Sequence, residues 1–195
     1  MEDRRPGEGR YAHLEREQRW LVRQLPAGAE RPAMVTDRYL AGTRLRLRRV
    51  DRSDGTVYRL GQKVRVGPTD PEVVRITNVY LSAEEFAVLA TLPAAELRKT
   101  RSYVDLDGRA VAVDQFHGRL DGVLLAELEL DEDEDRSPSP WFAVRDVTNL
   151  ATTQPRPCRP VRSVQFHSAS LNTRVSNASA CNRLISPLVK SPRHS

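Results

Sequence analysis

Cysteine is almost missing from this 195-residue chain, and the two present, Cys158 and Cys181, both lie beyond residue 150. The preceding stretch therefore has no disulfide and no thiol for catalysis or metal binding, and a reducing, cytoplasmic setting is expected. Long apolar runs are missing too: nothing approaches the roughly eighteen apolar residues of a membrane span. Residues 1–10 are charged and lack the apolar stretch of a secretory signal, so neither secretion nor membrane spanning is supported. A phosphate loop of the GxxxxGK[ST] kind, a GxSxG elbow and Cys/His clusters at metal-ligand spacing are all absent, which removes the commonest nucleotide-loop, serine-hydrolase and zinc chemistries.

Acid residues are missing from 151–195, which holds seven basic side chains and no Asp or Glu. Subtracting those seven from the 31 Lys and Arg leaves 24 against 26 Asp and Glu for residues 1–150. The basic pI thus belongs to the tail and the body is near neutral, which argues against a specific nucleic-acid-binding domain, since such domains carry a net basic surface. Poor in aromatics and without periodicity, 149–195 reads as a disordered, Ser/Pro/Arg-rich tail. Residues 1–10 read as a flexible start. The roughly 140 residues between them suffice for one domain with its own core.

What that body does contain is ionised side chains at two-residue spacing. Glu15 and Glu17 alternate near the start, as do Glu127 and Glu129 later; Arg44, Arg46 and Arg48 form a basic set on one strand, and Lys99 and Arg101 on another. Alternate residues of a strand share a face, so each set points one way while Leu45, Leu47, Ala126, Leu128 and Leu130 point the other. Carboxylates hold hard cations and guanidinium or ammonium groups hold phosphate, so both on one surface suggest a polyanion bound together with divalent metal.

Strand patterns dominate the body. They run over about 11–23, 33–40, 43–50, 56–66, 72–81, 96–106, 109–116 and 123–130, with Asp54-Gly55 and Asp107-Gly108 as hairpin turns. Ser82 with Glu85 three residues on predicts a capped helix to about residue 91, with Phe86 and Leu89 inward. Hairpin joints predict an antiparallel sheet able to close on itself, mainly β with one or two helices. Trp20 and Phe116 are expected in the core, Trp141-Phe142 as an apolar anchor, and Arg44 and Arg49 in solvent.

At this point the residues resemble a family. Glu15-Arg16-Glu17-Gln18-Arg19-Trp20 is similar to the ExExK strand that opens the CYTH proteins, the triphosphate tunnel metalloenzymes. The resemblance continues in order through Tyr39-Leu40, Leu45-Arg46-Leu47-Arg48, Lys63, Lys99-Thr100-Arg101, Val113-Asp114-Gln115-Phe116 and Glu127-Leu128-Glu129, to Trp141-Phe142 and Val147-Thr148. It implies a closed eight-stranded antiparallel barrel whose charged interior hydrolyses tripolyphosphate or another small triphosphate with Mg²⁺ or Mn²⁺. Carried over residue by residue, Glu15, Glu17, Glu127 and Glu129 would hold metal, and Arg46, Arg48, Lys63, Arg75, Lys99 and Arg101 would hold phosphate. Glu127, Glu129, Arg19 and Asp114 form the implied catalytic set, with Asp114 orienting water or a phosphate-binding lysine.

The departures matter as well. Arg19 stands where lysine is usual and cannot act as a general base, because a guanidinium stays protonated. Thr77-Asn78 replace acid residues, and the usual closing helix is not recognisable after Thr148, a loss that would slow or abolish turnover. Alternatives from other classes are a class IV-type adenylyl cyclase and a catalytically impaired polyphosphate- or nucleotide-binding module. A monomer or homodimer acting on a small-molecule substrate is expected.

Overall fold

Hairpin chemistry explains how the wall of this molecule is assembled. In the computed structural model, which describes residues 9–66, 73–131 and 133–149, the chain runs β1 (His13–Val22), β2 (Glu30–Leu40), β3 (Leu45–Arg52), β4 (Gly55–Arg65), β5 (Val73–Leu81), α1 (Ala83–Leu89), β6 (Ala94–Leu106), β7 (Arg109–Phe116), β8 (Leu124–Leu130) and β9 (Ala143–Asp146). Between β6 and β7 both turn residues take positive φ, Asp107 at 53° and Gly108 at 84°. Only a short polar residue followed by glycine adopts that pair without steric cost, and its twist matches that of the flanking strands. The expected flexible start and basic tail fall, apart from their inner edges, outside the described residues.

All pairings are antiparallel, in the order β5-β4-β3-β2-β6-β7-β8-β1-β9, and β5 also pairs with β1, closing eight strands into a barrel. One edge of β1 is divided. Its first half (His13 to Arg16) pairs with β5, while Trp20 to Val22 pair with the short ninth strand. The predicted closed barrel is thus present, with β9 as an addition. α1 has the capping box read from the sequence: Glu85 N–H donates to Ser82 Oγ and Ser82 N–H donates to the Glu85 carboxylate. Phe86 and Leu89 are half-buried on it, and Phe86 meets the Tyr58 ring at 4.7 Å between centroids. Among the described residues no helix is long and apolar enough to cross a membrane.

The largest apolar core lies on the outside of the barrel wall. Trp20, Val22, Val104, Val111, Val113, Leu124, Ala126, Leu128 and Leu130 form one buried cluster on β1, β6, β7 and β8. The segment after β8 covers it: Phe142 and Ala143 pack on the cluster, Trp20 Nε1 donates to Ser139 Oγ at 3.1 Å, and Gln18 exchanges hydrogen bonds with the Ser137 backbone. Of the expected aromatic anchor, Phe142 packs in this way while Trp141 remains exposed. Because this cluster takes one face of each of those strands, the other face is left to line the interior.

Candidate active site in the barrel lumen

Strand parity, once register is known, sorts every candidate side chain. On β1 the even positions Gln18, Trp20 and Val22 are buried under the covering segment, so Glu15, Glu17 and Arg19 face inward. Glu17 stands opposite Glu129 and Arg19 opposite Glu127 on β8. Arg101 of β6 stands opposite Asp114 of β7, Asp37 of β2 opposite Arg48 of β3, and Tyr39 opposite Arg46. Eleven of the twelve candidates therefore share one lumen: Glu15, Glu17, Arg19, Arg46, Arg48, Lys63, Lys99, Arg101, Asp114, Glu127 and Glu129. Arg75 does not join them. On β5, Ile76 pairs with Lys63 and faces inward, whereas Arg75 pairs with Val64 and Leu14 on the opposite face. The expectation that Arg75 holds phosphate inside the tunnel fails on this one-residue difference in parity.

The inward charges form three groups. In the first, Asp114, wholly buried, accepts from Arg101 Nε and Nη2 at 2.7 and 2.6 Å and also from Lys99 Nζ, while Arg101 reaches on to Glu127. Burial and the Arg101 charge hold the Lys99 ammonium below its ordinary pKa, although Asp114 and Glu127 oppose the shift. Burial alone would raise Glu127, but Arg101, Lys99 and Lys63 hold its carboxyl well below the usual range. In the second group, Lys63 from β4 bridges Glu15 and Glu17, with Glu17 Oε1 at 3.3 Å. Burial and then the Glu127 charge push the Glu17 carboxyl up despite Lys63, with Glu15 adding to the effect.

The third group centres on Asp37, which the sequence reading missed. It is 1% exposed and accepts from Arg48 Nε and Nη2 at 2.6 and 2.7 Å, with Arg46 Nε at 3.6 Å. Burial by itself would raise its carboxyl, but the Arg48 hydrogen bonds and charge, with help from Arg46, lower it to about 2. Arg59, also overlooked, faces the same space from β4, directly opposite Arg48. A signal for both was available, because Asp37 alternates with Val35 and Arg59 alternates with Gly61 and Lys63.

The Asp37 arrangement makes stability depend on acidity. The unfolded chain binds its proton near the ordinary aspartate value of 3.8 and the folded protein only near 2, so stability is intact above 3.8 and is lost as pH falls between the two. The expected loss is about 2 kcal/mol. In an acid titration of the melting temperature, Asp37→Asn should flatten that limb; an unchanged limb would refute the assignment.

Whether the acid wall suits a divalent cation can be judged from its donors. Glu15, Glu17, Glu127 and Glu129 offer hard oxygen atoms on two adjacent strands, and the Glu17 carboxyl is raised first by burial and then by the Glu127 charge, a repulsion that a cation would relieve. The donor chemistry therefore fits. In the present conformation Lys63 and Arg101 stand against three of these carboxylates, and among the described residues no three His, Cys, Asp or Glu side chains are grouped so as to hold a metal ion. One part of the interior is apolar instead. Phe116, Leu125 and Val147 cluster with Leu21, Leu97, Leu120 and Val123, and the Arg19 side chain donates to the Thr148 carbonyl.

No family model matches the chain, and no curated protein matches it. Among solved structures it is similar to two of the protein NE1496. One, described as a hypothetical protein, has 26% identity over 72% of this chain and 93% of that one, with a TM-score of 0.49. The other, described as an inorganic triphosphatase, has 24% identity over 72% and 90%, also at 0.49. The PH1819 protein from Pyrococcus horikoshii OT3 is similar at 15% identity over 61% and 80%, with a TM-score of 0.45. None of these likenesses is close enough to carry an inference about this chain.

Proposed function

We propose that the barrel binds a linear polyphosphate in its lumen and hydrolyses a phosphoanhydride bond of inorganic tripolyphosphate or a related small triphosphate, with Mg²⁺ or Mn²⁺. The observation that carries this reading is the inward pair Arg46 and Arg48 gathered on the single carboxylate Asp37, on the same lumen wall as Lys63, Lys99 and Arg101. A triphosphate carries about four negative charges near neutral pH, which oppose attack by water until they are neutralised. Arginine and lysine donors fixed in a partly dry cylinder neutralise them without reorganising at the moment of reaction. The bidentate hold of Asp114 on Arg101, and its bond from Lys99, aim those two cations before substrate arrives. Asp37 holds Arg48 in the same bidentate way and attracts Arg46, whose Nε lies 3.6 Å from it, by charge.

Glu15, Glu17, Glu127 and Glu129 are the residues that would hold Mg²⁺ or Mn²⁺, provided Lys63 and Arg101 turn from carboxylate to phosphate. Such a cation supplies charge neutralisation at the phosphate oxygens and a more acidic water. Arg19 cannot take a proton and serves in this reading as a fixed positive charge beside Glu127.

Purified protein incubated with tripolyphosphate should release orthophosphate with Mg²⁺ or Mn²⁺ and none in EDTA. Cyclic AMP formed from ATP would move the reading to a cyclase, and binding without turnover to a non-catalytic module. Glu129 is exposed, and substitutions at exposed positions away from special features change stability by only about 0.5 kcal/mol. Glu129→Gln should therefore lower orthophosphate release about a hundredfold or more, since losing even a group that only orients a metal ligand costs about 10–100-fold, with the melting temperature unmoved. Full activity in that variant would remove Glu129 from the site.

A further inference from the structure

Arg59 is placed beside other cations, and among the described residues no carboxylate pairs with it. It stands directly opposite Arg48 on the inward face of the β3–β4 pair, and like charges in directly opposite positions destabilise a sheet. Arg48 is already committed to Asp37, and the other cation beside the pair is Arg46. Among the described residues Arg59 joins no ion pair, and its Nε is buried without a hydrogen-bond partner. Its remaining neighbour is Tyr80, opposite it on β5 and 70% exposed, so this part of the lumen opens to solvent. Gly61, opposite Arg46, adds room: a Cβ there would lie 3.0 Å from Asn78 Oδ1 and 3.9 Å from Arg46 Nη2.

Buried charge left uncompensated weakens a fold, and clustered guanidinium groups are the usual means of holding phosphate oxygens in pairs. Resting on the polyphosphate reading, we propose that Arg59 binds an outer phosphoryl group of a linear polyphosphate longer than three units, at the opening marked by Tyr80. The chain would extend outward past Arg46 and Arg48, so affinity rises with chain length.

The test uses the full chain in EDTA, with calorimetric titration of pyrophosphate, tripolyphosphate and tetrapolyphosphate and a melting curve without ligand. Wild type should bind tetrapolyphosphate more tightly than tripolyphosphate. Arg59→Gln should weaken tetrapolyphosphate about tenfold, as expected for one lost charged hydrogen bond, and leave pyrophosphate nearly unchanged, while Arg59→Lys keeps most of the affinity. Without ligand, Arg59→Gln should melt higher than wild type, because the repulsion with Arg48 is gone. Equal tetrapolyphosphate affinity in Arg59→Gln and wild type, or a lower ligand-free melting temperature in Arg59→Gln, would overturn the subsite while leaving the polyphosphate reading standing. Wild type binding none of the three would overturn both.

Discussion

Asp114→Asn is expected to cost about 4 kcal/mol, the usual scale for removing one partner of a buried ion pair, and so to lower the melting temperature by about 10 °C. The variant keeps the shape of the side chain but removes the carboxylate that Lys99 and Arg101 share, leaving Arg101 its contact with Glu127. Lys99 already has its ammonium disfavoured, first by burial and then by Arg101. In the variant the folded protein prefers Lys99 neutral while the unfolded chain takes up the proton, so the deficit should shrink as pH rises toward the ordinary lysine range. Tripolyphosphate should also restore part of the loss by supplying the missing negative charge to the same two cations. A melting temperature within about 2 °C of wild type, well under the shift expected for a broken buried pair, would show that Asp114 does not hold the lumen together.

Arg48 should show an equally large effect, on two properties at once. The Asp37–Arg48 pair is doubly hydrogen-bonded and nearly inaccessible, so Arg48→Ala leaves a buried carboxylate with Arg46 as its closest cation, 3.6 Å away. That variant should lose about 3 kcal/mol of stability together with tripolyphosphate turnover. Loss of activity alone would therefore not distinguish a substrate ligand from a structural prop. The double variant Asp37→Asn, Arg48→Met separates them, because neutralising both partners of a buried pair is often harmless to stability. It should melt near wild type and remain inactive. A double variant that regains turnover would remove Arg48 from phosphate binding, and one that stays as unstable as Arg48→Ala would contradict the pair as the source of the loss.

Much of the wall was readable in the chain. Alternation of charge with Leu or Ala on β3 and β8 is a local property, and Asp-Gly turns demand positive φ wherever they fold, so strands, hairpins and the capped α1 follow from short-range rules. Arg75 shows where such rules stop. Its side of β5 depends on whether Arg75 or Ile76 lies opposite Lys63, and a slip of one residue exchanges the two faces. Asp37 and Arg59 were missed for a related reason. Neither has another charge two residues away, since Val35 and Tyr39 flank Asp37 and Val57 and Gly61 flank Arg59 at that spacing, and only the pairing of β2 with β3 and of β3 with β4 turns them into neighbours of Arg48. Trp141 failed as an anchor because the covering segment buries Phe142 against the outer cluster and leaves the indole exposed.

By itself the sequence determined which side chains alternate, where the chain reverses, and that one domain carries both carboxylates and cations in ordered blocks. Closure of the wall, the inward direction of those charges, and their division into an Asp114 network, a Lys63 bridge and an Asp37 group were decided by tertiary structure. The reason is that strand pairing joins residues far apart in the chain, and covering one face of β1 and β8 with apolar contacts obliges their opposite face to enclose the ionised groups.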